Sequence, residues 1–331
     1  MFRYVLKRLL LFIPLAMAVV FIVYFIMDFT PGDPARLILG ERADESQLAI
    51  LRKDLGLDRP FPARYIDYLY RLVFHGDWGV SYRSRIPVIT EILRKAPNTF
   101  VLALLGAFFS SIIGVGLGIL AAVKRGKAAD ILANTLTVLC ASVPAFVLGM
   151  VLILIFALRF RALPSNGASS WRHFILPLIA LSIPASAGIL RLTRSMMLEK
   201  LGTDYIRTAR TKGLGEGRVV LVHALKNAII PVITSMGMHL GYLLGGAVIT
   251  ETVFAIPGLG THIIDAIRMK DTPVVLAATV FLSLSFSFIM LIVDILCVFL
   301  DPRLRVRFNG RGGVRFDTGR IVRSNTKRSG R

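Results

Sequence analysis

Cysteine is nearly absent from this chain: 331 residues hold only Cys140 and Cys297. Both lie in apolar runs with no CxxC or Cys/His spacing, which excludes a disulfide framework and a zinc cluster. Charge is also scarce, at 18% of residues, and acidic residues number 20 against 40 Lys and Arg. A net charge of +20 can serve nucleic acid, but only when it forms a soluble basic face. Here the bases sit between apolar runs, so no nucleic-acid partner is expected. HExxH, GxSxG and a glycine-rich loop ending in GK[ST] are all missing. No catalytic residue, metal site or cofactor of the chain's own is therefore expected. His75, beside Asp77, reads as a solvated loop histidine.

What is abundant is apolar sequence, 55% of residues, with mean hydropathy +0.67. Runs long enough to cross roughly 30 Å of hydrocarbon as helices occur near 9–27, 99–122, 131–158, 174–190, 228–250 and 274–300. This predicts an all-α polytopic membrane protein with six transmembrane helices. The amino terminus starts like a signal peptide, but its apolar run is long enough to span and is read as a retained helix. The fourth run is short and carries Pro177 and Pro184, which predict a kink, with an interruption as the alternative.

Lys and Arg in the short connections favour one side of the membrane by 24 to 5. Both termini are accordingly expected in the cytoplasm. The domains then read as 1–28, amino terminus and first span; 29–97, an extracytoplasmic cap; 98–300, the transmembrane core; and 301–331, a basic tail, disordered after 307 and near anionic lipid. In the cap, SQLAILRKDLGL and ARYIDYLYRLVFHG have helical apolar periodicity and predict two amphipathic helices.

Small residues recur at four-residue spacing, Ser110, Gly114 and Gly118 in the second span and Gly237, Gly241 and Gly245 in the fifth, predicting close helix packing. Ionisable groups inside the spans are His239 and, chiefly, Asp294, the two candidates for the translocation pathway. A proton-coupled carrier would be expected to hold more.

The connection 191–227 reads as helix, break, helix. Thr203 is placed to cap a first helix, TDYIRTARTK, and Gly213 to end it in the left-handed conformation. Leu214 to Gly217 turn the chain. A second helix, RVVLVHALKNAII, carries Leu221, Leu225 and Ile229 on one stripe and His223, Lys226 and Asn227 elsewhere, and meets Pro231 at the membrane edge. Ile206 and Ala209 give the first helix little apolar face, and its length suits a knob entering a cleft on another protein. A solvated loop and a lipid-surface helix remain open on these grounds.

YIRTARTKGL followed by HALKNAIIPVIT resembles the cytoplasmic coupling loop, the EAA loop, of permease subunits in binding-protein-dependent ABC importers, in the version of the dipeptide, oligopeptide and nickel permeases. Arg207, Thr208 and Ala209 stand where the general loop has Glu-Ala-Ala, and Pro231 falls later than in sugar permeases. FTPGDPARLILG (29–40), LRKDLGLDRPFPARYIDYL (51–69), GDWGVSY (76–82), ETVFAIPGLG (251–260) and IVDILCVFLDPRLR (292–305) extend the resemblance almost to Arg307.

The resemblance implies a type I ABC importer permease fold with the cap between the first two spans, placed in the inner membrane of a bacterial cell. It also implies a second, homologous permease subunit, two ATPase subunits that bind ATP and Mg, and an extracytoplasmic substrate-binding protein. Tyr205, Ile206, Arg207, Thr208, Ala209, Arg210, Lys212, Gly213, Leu214, His223, Asn227 and Pro231 would couple this chain to an ATPase. A peptide is the expected cargo. Nickel or a metal chelate is the alternative, because SMGMHLGYLLGG sets thioethers beside His239. Further off stand a secondary transporter, which would lack neighbouring ATPase genes, and an intramembrane enzyme acting through Asp294.

Overall fold

The computed structural model describes residues 2–40 and 42–300, so the basic tail expected over 301–331 lies outside the described residues. Helix α1 (Phe2–Phe29) carries the first apolar run. A polar segment follows with α2 (Pro34–Leu39), α3 (Glu45–Asp54) and α4 (Phe61–Tyr70), the last extended by a π turn over Arg71–His75. The two helices expected here are present, and α2 is additional. Asp33 starts α2 by accepting from Ala35 N at 3.0 Å, with Pro34 in the first turn, where its missing N–H costs nothing. The same carboxylate holds Arg52 of α3, at 2.9 and 2.6 Å, over a small core of Ala35, Leu48 and Leu51.

Helix α5 (Val88–Val123) begins within the stretch read as cap and runs through Pro97. Next come α6 (Ala128–Ser142) and α7 (Ala145–Leu152), the latter continued by a π segment over Ile153–Arg159. Then follow α8 (Arg172–Leu201) and α9 (Asp204–Thr211), and a single turn α10 (Glu216–Arg218) that passes through a π segment at Val219–Ala224 into α11 (Leu225–Val253). α12 (Leu259–Arg268) and α13 (Thr272–Leu300) complete the described residues, among which no strand occurs.

Five of these helices are individually long and apolar enough to cross a membrane, and a sixth crossing is the pair α6 and α7. The interruption weighed for the fourth run falls instead in the third. The fourth run, with its two prolines, is one unbroken helix of 30 residues, while the third bends by 94° at Val143 and Pro144. Pro144 forces its β-branched predecessor Val143 into extended geometry, at φ −91° and ψ 118°, which ends α6. α8 instead is enclosed on several sides, with Pro177, Leu181, Ala185 and Ile189 buried, and its helix continues through both positions although each proline removes one donor.

α5 and α8 form the most extensive helix pair. A Cβ on Gly114 would lie 2.7 Å from Ile189 Cβ, and one on Gly118 would lie 2.7 Å from Thr193 Cβ, so both glycines are needed for this approach. At one end of the bundle the first and last spans are tied to the polar segment. Lys270, buried, donates to the carbonyls of Met27 and Thr30 at the end of α1. Buried Asp271 accepts from Ser81 Oγ at 2.5 Å and from the Tyr82 and Arg83 amides at 3.1 and 3.3 Å. We call this the cap face, and the opposite end, which carries α9, the loop face.

Candidate functional site

α9 stands on a core of its own. Ile206 is fully buried and Ala209 nearly so, against Val219, Val220, Ala224 and Ala228 of the following helix, Ala122 of α5 and Met197 of α8. These two residues, expected among those that meet a partner, are anchors. Tyr205, Arg207, Thr208, Arg210, Thr211 and Lys212 are exposed around them. Asn227 Nδ2 donates to Tyr205 Oη at 3.2 Å and to the His223 carbonyl at 3.3 Å, lacing α9 to α11.

The helix ends in a Schellman motif. Gly213, at φ +77°, donates to the Arg210 carbonyl at 2.9 Å, and Leu214 reaches back to that of Ala209 at 3.4 Å. Arg210 Nε bridges the turn to Glu216 Oε1 at 2.6 Å. At the start of α9, Thr203 holds the cap position, but its hydroxyl donates to the Lys200 carbonyl at 2.5 Å and caps no amide of α9.

The second helix of this connection differs from its expected form in two ways. It is continuous from Glu216 to Val253, so Pro231 lies inside it rather than at its start. Its buried face is Val220, Ala224 and Ala228, while Leu221 is 58% exposed. The buried face keeps the four-residue spacing of the predicted stripe but runs one position earlier, through smaller side chains. α8 extends to Leu201, so the true connection is the short stretch from Gly202 to Gly215.

Of the two pathway candidates, Asp294 is paired with Arg8 of α1, Oδ2 to guanidinium 2.6 Å. The ring edge of His239 lies against Gly188 of α8, where a Cβ would sit 3.1 Å from Nε2. Ser110 is buried and donates to the Ala107 carbonyl at 3.0 Å. Gly237 and Gly241 meet Val293 and Phe286 of α13 so closely that a Cβ at either would overlap them. Gly245 departs from the packing expectation: it is exposed, with no atom within 4 Å of a Cβ position. No group of three or more His, Cys, Asp or Glu side chains that could hold a metal occurs among the described residues.

Three charged constellations escaped the sequence reading. At the loop face Asp130 of α6 receives Arg194 of α8 through two bonds of 2.6 and 2.9 Å, with the Gly126 amide at 3.0 Å. At the cap face Glu251, fully buried, accepts from Thr99 Oγ1 at 2.5 Å and from the Gly260 and Thr261 amides at 2.8 and 3.1 Å, the first turn of α12. Thr99 in turn accepts from the Leu259 amide at 2.8 Å, so α12 starts on a built-in acceptor with its leading donors satisfied. The signal was present in ETVFAIPGLG: an acid at the end of a span, followed by the glycines that let a helix terminus reach it.

The third constellation is Glu91, Lys95 and His262. Lys95 Nζ lies 2.8 Å from His262 Nδ1, and Glu91 Oε2 is 3.1 Å from Nε2, out of line for a hydrogen bond. Burial and then the neighbouring Lys95 charge hold the imidazole below its ordinary pKa, against the opposing pull of Glu91.

A bundle of broken and unbroken spans, with a short polar helix carried on one face and a small helical segment on the other, defines a membrane permease subunit. Residues 114–306 match the model of the family described as binding-protein-dependent transport system inner membrane component, and residues 1–103 match its N-terminal model. The chain belongs to that family, the inner-membrane permeases of ABC importers, in its peptide and oligopeptide branch. It is 43% identical over 307 residues to a glutathione transport system permease protein of Salmonella typhimurium, covering 93% of this chain and all of that one. The Escherichia coli K12 counterpart is 42% identical over the same length. Among solved structures, an inward-facing methionine ABC transporter is similar in fold, with TM-score 0.54 and 19% identity over 65% of this chain and 98% of that one.

Proposed function

We propose that this chain forms half of the translocation pathway of an ATP-driven importer for short peptides, beside a second permease subunit, with α9 seated in a groove of an ATPase subunit. The observation that carries this reading is the division of labour within α9. Ile206 and Ala209 are consumed by the chain's own core, which leaves a polar, largely basic surface about 12 Å long with no apolar reason to cover it. Such a helix is held rigidly by its own subunit and presents charge and hydrogen-bonding groups to another.

In this reading the loop face is cytoplasmic, and a substrate-binding protein delivers cargo at the cap face. ATP and Mg belong to the ATPase subunits, whose closure moves α9 and, through its core, the spans. A peptide cargo is favoured by similarity to permeases named for glutathione transport.

The test is purification with the neighbouring ATPase, permease and binding-protein subunits, reconstitution in vesicles, and uptake of labelled di- and tripeptides and of nickel. ATP-dependent peptide uptake is expected. Uptake of nickel alone would replace the cargo assignment, and uptake without ATPase subunits would overturn the importer mechanism.

A further inference from the structure

α4 is described by sequence as part of a soluble cap, yet it does not stand clear of the membrane. Its Phe61 ring contacts Phe21, Tyr24 and Phe25 of α1, with centroids 6.0, 5.6 and 6.0 Å apart. Tyr65 meets Phe21 at 5.5 Å, and Tyr68 meets Tyr24 at 6.4 Å. Residues spread over two turns of α4 therefore meet α1 at one stretch, Phe21 to Phe25. That stretch is four to eight residues short of Phe29, where the apolar span of α1 ends, hence roughly 6–12 Å inside it at 1.5 Å per residue. Tyr65 Oη goes deeper and donates to the Met17 carbonyl at 3.2 Å.

Around α4 and its π turn the side chains divide into three sectors. Phe61, Tyr65, Tyr68, Leu69 and Leu72 pack on α1 and α13. Arg64, Asp67 and Arg71 face a polar cavity of about 480 Å³, where Arg64 pairs with Asp28 and Asp67 with Arg71. Ile66, Tyr70, Val73 and Phe74 face outward; Ile66 is 64% and Phe74 73% exposed. In water this last stripe would be an unexplained apolar patch. At the depth fixed by the contacts with α1, lipid accounts for it as it accounts for the exposed Ile22, Ile26 and Phe29 of α1 itself.

We infer that α4 with its π turn is an interfacial helix, lying in the plane of the leaflet on the cap side, with Ile66, Tyr70, Val73 and Phe74 in contact with lipid acyl chains. The polar sector confined to one side, the aromatic content and the outward apolar stripe are those of a helix at the headgroup boundary. The partner of this surface is phospholipid, and the aromatic cluster fixes the depth of the first span.

The test uses the full chain assembled with its partner subunits in phosphatidylcholine and phosphatidylglycerol vesicles, with Cys140→Ala and Cys297→Ala removing the native thiols. A nitroxide is attached at Phe74→Cys, at Ile66→Cys or, as a reference on α3, at Ile50→Cys. Collision with oxygen, which partitions into lipid, is compared with collision with a water-soluble nickel chelate. At positions 66 and 74 oxygen is expected to exceed the chelate severalfold, and at position 50 the reverse. Chelate dominance at 66 and 74 would overturn the inference. An immobilised label shielded from both reagents would overturn it equally, by showing that a protein subunit covers the stripe. Tyr70→Cys serves as the replacement should either apolar variant fail to assemble.

Discussion

Gly258 lies so close to the carboxylate of Glu251 that a single methyl group on it would overlap Cδ and both oxygens. Gly258→Ala should therefore destabilise the cap face, and removing the obstacle should relieve it. Glu251→Ala alone leaves the Gly260 and Thr261 amides unsatisfied, at about 1–3 kcal/mol for each buried donor. The double variant is expected to unfold at a temperature clearly above that predicted by adding the two single losses. Thermal unfolding of the four proteins in detergent measures this, and strict additivity would refute the contact.

Gly213 has open space around its missing side chain within this chain, so the effect of substitution on the fold is conformational. At φ +77° a β-branched residue pays about 1–2 kcal/mol or more. Gly213→Val is expected to lower ATP-driven uptake roughly tenfold, the equivalent of that energy, while insertion and ATP hydrolysis persist. Gly213→Ala should fall between. Normal uptake by the valine variant would argue against coupling through α9.

Removing the Ile206 side chain should release α9 from its core. Ile206→Ala deletes a fully buried group, a change of about 2–5 kcal/mol in packed interiors. Here the expected consequence is local. Trypsin should cut at Arg207 and Arg210 faster in inside-out vesicles by at least severalfold, with the spans unchanged in thermal stability.

His262 gives the cap face a defined pH response. Its folded pKa is depressed by burial and Lys95, so the neutral ring is the form the fold favours. The stability this contributes is present above the unfolded pKa, about 6.5, and is lost as pH falls below it toward the folded value. With Lys95 donating to Nδ1, a second proton there would face an ammonium group. Unfolding temperature should fall between neutral pH and pH 5, and His262→Gln should flatten that segment of the profile.

The apolar runs were long enough to mark every span, because a helix in lipid must satisfy its own backbone and has little choice of form. Gly213 was readable for a similar reason: few residues end a helix with positive φ. Breaks were less accessible. Two prolines in α8 looked more disruptive than one after Val143, yet α8, enclosed by its neighbours, runs on through both, while Pro144 ends α6 through its local effect on Val143. The buried stripe runs through Val220, Ala224 and Ala228 rather than Leu221, smaller side chains that a count of large apolar residues passes over. Glu251 and Asp130 sat just beyond or at the edge of the apolar runs, where a search for charge inside the spans passed them by.

The core beneath α9 is shared by three elements: Ala122 at the end of α5, Met197 in α8, and the Val219 to Ala228 stretch entering α11. A helix fastened at one point would swing like an arm on a pin and absorb a push as rotation. α9 is instead seated on three posts, and each post is the foot of a long helix. A force applied to its polar face is divided among α5, α8 and α11 at once, so the spans can be tilted as a set without any one of them being bent.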